Sequence, residues 1–166
     1  AKLLMKVLDQ YQPYFYEEII NCQNVDVMAE LAKQTHIPIA TGEGLQSHFN
    51  YRELLARQAA RILQPDAART GGITALKKIA AMADANYVTI APHNPNGPVC
   101  TAASIHLAAS IPNFLIMEEG NTRVEEYKSI FTGGWKPTLS HWDIPDGPGL
   151  GVDLSPEFLR SNEVKG

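Results

Sequence analysis

Five ionisable residues of this sequence stand where acid–base and metal chemistry could be done. Glu17, Glu43, Asp66, His93 and Glu118 each lie at the end of a short apolar run. A lone acid in such a place commonly solvates a loop or caps a helix. Five run ends in succession, all ionisable, fit that explanation poorly. Carboxylates brought to one place repel each other unless one takes a proton or a cation sits between them. Oxygen ligands of this hardness, kept partly hydrated, suit Mg²⁺. An imidazole ordinarily titrates near pH 6.5, and a neighbouring carboxylate moves it toward the range in which a base works at neutral pH. Asp66 and His93 are therefore candidates for an orienting acid and a base. His48, in the loop expected after the second run, is a candidate contact to a substrate hydroxyl. His36, His106 and His141 are expected to be structural or solvent-exposed, and Lys77 and Lys78 to form a solvated helix surface.

The elements that must carry these residues follow from periodicity. Leu3, Leu4, Val7, Leu8 and Tyr11 have helical spacing, as do the apolar residues of 25–34, 51–60, 73–83 and 102–110. Between them lie short apolar runs at 14–20, 37–40, 61–64, 87–91 and 114–117, read as strands. Strand–helix–strand alternation describes βαβ units around a parallel sheet, and continuous apolar strands fit a sheet covered on both faces. The sheet could be open and doubly wound or closed into a barrel. No glycine-rich phosphate loop follows the first strand. Instead each strand delivers an ionisable group at its C-terminal end, where barrel enzymes gather catalytic residues. The expected fold class is thus α/β, the last five βα units of a (β/α)8 TIM-type barrel over residues 1–119. An irregular tail rich in proline and glycine follows over 120–166. An eight-unit barrel takes about 250 residues, so about three further strands are expected upstream.

Composition narrows the classes of function. At 166 residues with 45% hydrophobic and 19% charged residues, the sequence can bury a sizeable core. A net charge of −4 without a basic stripe argues against nucleic acid as a partner. No apolar run approaches the roughly 20 residues of a bilayer crossing, and no charged-then-apolar segment opens the sequence, so no membrane association is expected and the protein is read as soluble and cytoplasmic. Cys22 and Cys100 lack ligand or bridge spacing and are read as reduced thiols.

The order Tyr16, Glu17, Glu18, then Thr41, Gly42, Glu43, then Gln64, Pro65, Asp66 with Gly71 and Gly72, then Ala91, Pro92, His93, then Met117, Glu118 resembles the second half of the mandelate racemase branch of the enolase superfamily. The stretch Ala91–Pro95 with Gly97 and Pro98, and the later 112–116, most resembles galactonate dehydratase and related acid-sugar dehydratases. The resemblance covers roughly residues 1–150. It implies that Glu17 and Glu43 match the second and third of three acidic Mg²⁺ ligands. The first ligand and an α+β capping domain would then lie upstream. It further implies that His93 is the base at C2, that Asp66 orients it, and that a protonated Glu118 hydrogen-bonds the substrate carboxylate. The implied reaction is loss of water from an aldonate through an enediolate to give a 2-keto-3-deoxy acid. A racemase, epimerase or cycloisomerase of the same branch, or a non-catalytic barrel fragment, is the alternative. The sequence departs from the pattern at Ile19, where many relatives carry proline, and at Gly44, where a basic residue is common. The implied partners are a small sugar acid, the upstream part of the barrel and further copies in a homo-oligomer.

Overall fold

The computed structural model describes residues 1–119, 129–133 and 140–163. A first helix, α1 (Lys2–Leu8), runs through a 3-10 turn into strand β1 (Tyr16–Glu17). The chain then alternates α2 (Val25–Ala32), β2 (Ile39–Thr41), α3 (His48–Ala56), β3 (Ile62–Leu63), α4 (Gly72–Asp84), β4 (Thr89–Ile90) and α5 (Pro98–Ala109). The four strands pair in parallel in the order β1-β2-β3-β4, each beside its sequence neighbour. This is the topology that βαβ alternation requires, since a parallel pair can be joined only by a crossover.

The named strands are short, but the ladder runs further. The amides of Ala91 and His93 donate to the carbonyls of Leu63 and Pro65 at 2.9 and 3.2 Å. Asp66 and His93 thereby form a parallel bridge three residues beyond the ends of the named strands. The fifth run is reduced to the bridge between Ile90 and Phe114, with Leu115 and Glu118 donating their amides to Ile90 and Pro92. Its expected strand over 114–117 is therefore an extended segment lying along β4. Pro112 begins it without an amide to give, and no strand pairs on its far side among the described residues.

Alternation within each strand sorts the side chains into two layers. Tyr16, Ile39, Leu63 and Ile90 join Met28, Leu31, Tyr51, Leu54, Ile79 and Ala83 of the helices in the main core. Ala40, Ile62 and Ala91 pack on the opposite face with Phe15 and Leu115. The period of two then continues from Phe15 to Glu17, from Ile62 to Gln64 and Asp66, and from Ala91 to His93. Glu17, Gln64, Asp66 and His93 thus share the inner face of the sheet, whereas Glu43 has the opposite parity and follows Gly42, whose φ of +127° breaks the alternation. Leu63 is fully buried between sheet and helices. Leu63→Ala should cost about 2–5 kcal/mol through lost transfer energy and the cavity left behind, measured as a lower urea midpoint with unchanged slope.

Helix starts follow local chemistry. Asn24 caps α2 by accepting the Val27 amide, and Pro98 opens α5 at a position where its missing N–H is not needed. The tail is more ordered than its composition suggests, where it is described. Strand β5 (Phe131–Gly133) pairs antiparallel with β6 (Val152–Leu154), and a short helix, Pro156–Ser161, follows. Ile130, Trp142, Leu150 and Val152 pack with Met117 on Ala102 and Ile105 of α5, and the His106 ring meets the Leu150 carbonyl at 3.0 Å. Residues 120–128, 134–139 and 164–166 of the expected tail lie outside the described residues. Both cysteines are free, Cys22 buried and Cys100 half-buried. Among the described residues no helix is long and apolar enough to cross a membrane.

Candidate active site

The centre of the site is the imidazole of His93, only 9% exposed. Its Nδ1 lies 2.8 Å from Oδ2 of the fully buried Asp66. A carboxylate only accepts, so Nδ1 carries the proton of this bond and Nε2 is the nitrogen turned to the mouth. Nε2 sits 3.2 Å from Glu43 Oε2 and 3.7 Å from Glu118 Oε2, so a proton on Nε2 would be shared with Glu43 and a base at this nitrogen requires that proton to have left. Strand ends β2, β3 and β4 and the fifth segment therefore converge on one ring.

Asp66 is held on all sides. Its Oδ1 accepts the amides of Ala68 and Arg69 at 2.7 and 3.2 Å, and its Oδ2 accepts Asn96 Nδ2 at 2.9 Å as well as His93. Burial alone would push this carboxyl upward. The donors from Asn96, His93, Ala68 and Arg69 outweigh it and hold Asp66 below its ordinary range. An acceptor that is charged at neutral pH keeps the His93 ring in one tautomer and one orientation.

The remaining carboxylates are placed by backbone and amide groups. Glu118 Oε2 accepts the Asn94 amide at 2.9 Å. Glu17 Oε1 accepts Nε2 of Gln64, which reaches across from β3 over β2. Glu17 is exposed and the Glu43 side chain is 38% exposed, as cation ligands kept partly hydrated would be. Both offer hard oxygen donors from neighbouring strand ends, a donor set that fits Mg²⁺. Among the described residues no group of three or more His, Cys, Asp or Glu is gathered to hold a metal.

A family model described as "Enolase C-terminal domain-like" matches residues 1–158. The chain belongs to this enolase C-terminal domain-like family. Its fold is accordingly part of a (β/α)8 barrel. It is 37% identical over 165 residues to D-galactonate dehydratase of Pectobacterium atrosepticum, covering 96% of this chain and 43% of that protein. It is 35% identical to D-xylonate dehydratase of Haloferax volcanii, covering 100% of this chain and 40% of that protein. The crystal structure of a mandelate racemase/muconate lactonizing enzyme from Jannaschia sp. CCS1 superposes with a TM-score of 0.88 at 39% identity, covering 99% of this chain and 42% of that one. The chain thus spans about two fifths of the length of the relatives it matches.

Within this enolase-type half-barrel, the sequence-predicted residues divide clearly. His93, Asp66, Glu43 and Glu118 meet, and Glu17 stands at the adjacent strand end against Gln64. His48 does not sit in a loop. It is the first residue of α3, its ring 4.1 Å from that of Phe49, and no contact joins it to the His93 cluster. The helix begins three residues earlier than periodicity places it: the carbonyl of the extended Ser47 accepts the Asn50 amide at 3.0 Å, and its hydroxyl donates to the Asn50 side chain. His36 lies away at the start of β2, near Asp9 and Gln12. Gln64, Asn94 and Asn96 take part in the site although periodicity assigns them no role. The available signal was polarity in the wrong place: Gln64 continues a buried apolar strand, and Asn94 is fully buried.

Proposed function

We propose that this chain supplies the base and two metal ligands of a Mg²⁺-dependent dehydratase acting on a sugar acid. The observation that carries the proposal is the His93–Asp66 pair, buried and hydrogen-bonded at 2.8 Å, with Nε2 turned toward the carboxylates of the mouth. The aldonate dehydratases among its relatives give the substrate class.

The proton at C2 of an aldonate is weakly acidic because its removal adds charge to a group already negative. Glu17 and Glu43 would hold the Mg²⁺, which supplies the positive charge that stabilises this second negative charge. His93 Nε2 takes the C2 proton, and Asp66 accepts from Nδ1 throughout, so the ring stays aligned as its charge changes. Glu118, tied to the Asn94 amide through one oxygen, can hydrogen-bond the substrate carboxylate when it carries a proton. Loss of the C3 hydroxyl then gives an enol that becomes the 2-keto-3-deoxy acid. The group that assists hydroxyl departure and the remaining metal ligand belong to the rest of the barrel. That part would pair with the free edge of β1.

Incubating the full-length protein with a panel of aldonates in deuterium oxide separates this reading from its relatives. A dehydratase releases a 2-keto acid, whereas a racemase or epimerase returns deuterated starting material without losing water. Glu43→Gln keeps the size of the side chain and removes its charge. Mg²⁺ affinity by calorimetry should then fall on the order of 100-fold, the upper end of what supporting residues alone contribute to a metal site. An affinity within twofold of the parent would remove Glu43 from the ligand set.

A further inference from the structure

Glu18 is one of four non-glycine residues with positive φ among the described residues, at +43°. For a side chain of this kind the left-handed region is uncommon, and such residues gather at functional sites where the surroundings impose the conformation. What holds Glu18 there is a set of bonds to the neighbouring strand end. Its Oε1 accepts the Thr41 hydroxyl at 2.5 Å and the Gly42 amide at 2.9 Å. Its own amide donates to the Ala40 carbonyl at 3.1 Å. Thr41 is fully buried, so its hydroxyl has no water to turn to.

The bound peptide is fixed from the other side as well. The fully buried Tyr51 donates its hydroxyl to the Gly42 carbonyl at 2.7 Å, and burial pushes that phenol well above its ordinary value, so it remains a donor. Gly42 itself has φ +127°, and a Cβ there would come within 2.8 Å of the Tyr51 ring. Both polar groups of residue 42 are therefore immobilised, one step before Glu43. The group that seizes its amide stands one step after Glu17.

We infer that Glu18 is a positioning residue for the metal: its carboxylate straps the end of β1 to the end of β2 and so fixes the separation of Glu17 and Glu43. Glu17 turns to the inner face and Glu18 turns back to lock the neighbouring strand. Two ligands on separate strands are thereby preset before any cation arrives. The inference rests on the assignment of Glu17 and Glu43 as ligands.

The test uses Mn²⁺ binding to the full-length protein, read by electron paramagnetic resonance of the free ion, with thermal unfolding of the metal-free protein in parallel. Glu18→Ala loses both acceptor bonds and should weaken Mn²⁺ about 10–100-fold, the usual effect of removing a partner that orients ligands. Glu18→Gln keeps an oxygen for Thr41 and Gly42 and should stay within about threefold of the parent. Thr41→Val, which deletes one bond from the opposite side, should fall between them. A Glu18→Ala affinity equal to the parent's overturns the strap. A Glu18→Gln loss as large as that of Glu18→Ala also overturns it, because the charge and not the pair of bonds would then matter. If the parent binds no Mn²⁺ while remaining folded, the ligand assignment falls and the inference with it.

Discussion

His93→Asn in the full-length protein should abolish exchange of the substrate C2 proton, with a rate loss on the order of 10⁴, the upper end of general-base contributions. Asparagine is close in reach to the Nδ1 side of the ring and can still hydrogen-bond Asp66, so the buried carboxylate keeps a partner. It offers no basic nitrogen in place of Nε2. Mg²⁺ affinity should stay within about threefold, because the ring is not among the proposed ligands. Deuterium incorporation at C2, followed by proton NMR in the presence of each aldonate, reads the result directly. Undiminished incorporation would remove His93 from the reaction.

Asp66→Asn should cost on the order of 10³–10⁴ in kcat with little change in KM, as amidation of an orienting aspartate does in other His–Asp pairs. The geometry explains why so small a change matters. Both oxygens of Asp66 accept two hydrogen bonds, from Ala68 and Arg69 on one side and from His93 and Asn96 on the other. An amide has one accepting end. If its oxygen serves the two backbone donors, its NH₂ faces His93 Nδ1, which must then accept, and the proton moves to Nε2 where the base is needed. The same carboxylate links stability to pH. Its folded pKa lies below its unfolded one, so its contribution is fully present above the ordinary aspartate value of about 3.9 and is lost as pH falls through the lower, folded value. Asp66→Asn should therefore flatten the acid limb of a stability profile, which urea titrations at successive pH values would show.

Much of this arrangement could be read from residue order because a parallel sheet has a simple grammar. A strand of apolar residues that ends in an acid or a histidine, repeated with helices between, fixes both the pairing order and the face at which the ends collect. The adjacency of Asp66 and His93 follows from that order alone. What residue order does not contain is the distance between side chains on strands that are not neighbours. Gln64 reaches Glu17 over the intervening β2, and Glu43 reaches His93 over β3. Both contacts depend on the curvature of the sheet, a property of the assembled layer. The starts of α3 and α5 lie three and four residues before the apolar periodicity, whereas α2 and α4 begin where it places them or one residue away. Periodicity counts apolar residues, but α3 begins at the polar His48 and α5 at Pro98, whose fixed φ and missing N–H suit a first turn. His48 accordingly precedes the apolar pattern of α3 although it is the first residue of the helix. The order in the tail was hidden because proline and glycine report turns and are silent about what the turns dock against. Here the docking partner is α5.

The bridge between Asp66 and His93 ties the reactivity of the site to the cohesion of the sheet. The two residues are ladder partners, and the His93 amide is spent on the Pro65 carbonyl. Pro65 gives no amide in return, so the rung is one-sided, yet the buried bond between the side chains lies directly above it. Misplacing the base requires peeling β4 from β3, an excursion into the high-energy end of native-state opening rather than the fraying of a loop. The base should accordingly keep its aim in every molecule that remains folded, so that heat or denaturant lowers the number of competent sites without blunting those that survive.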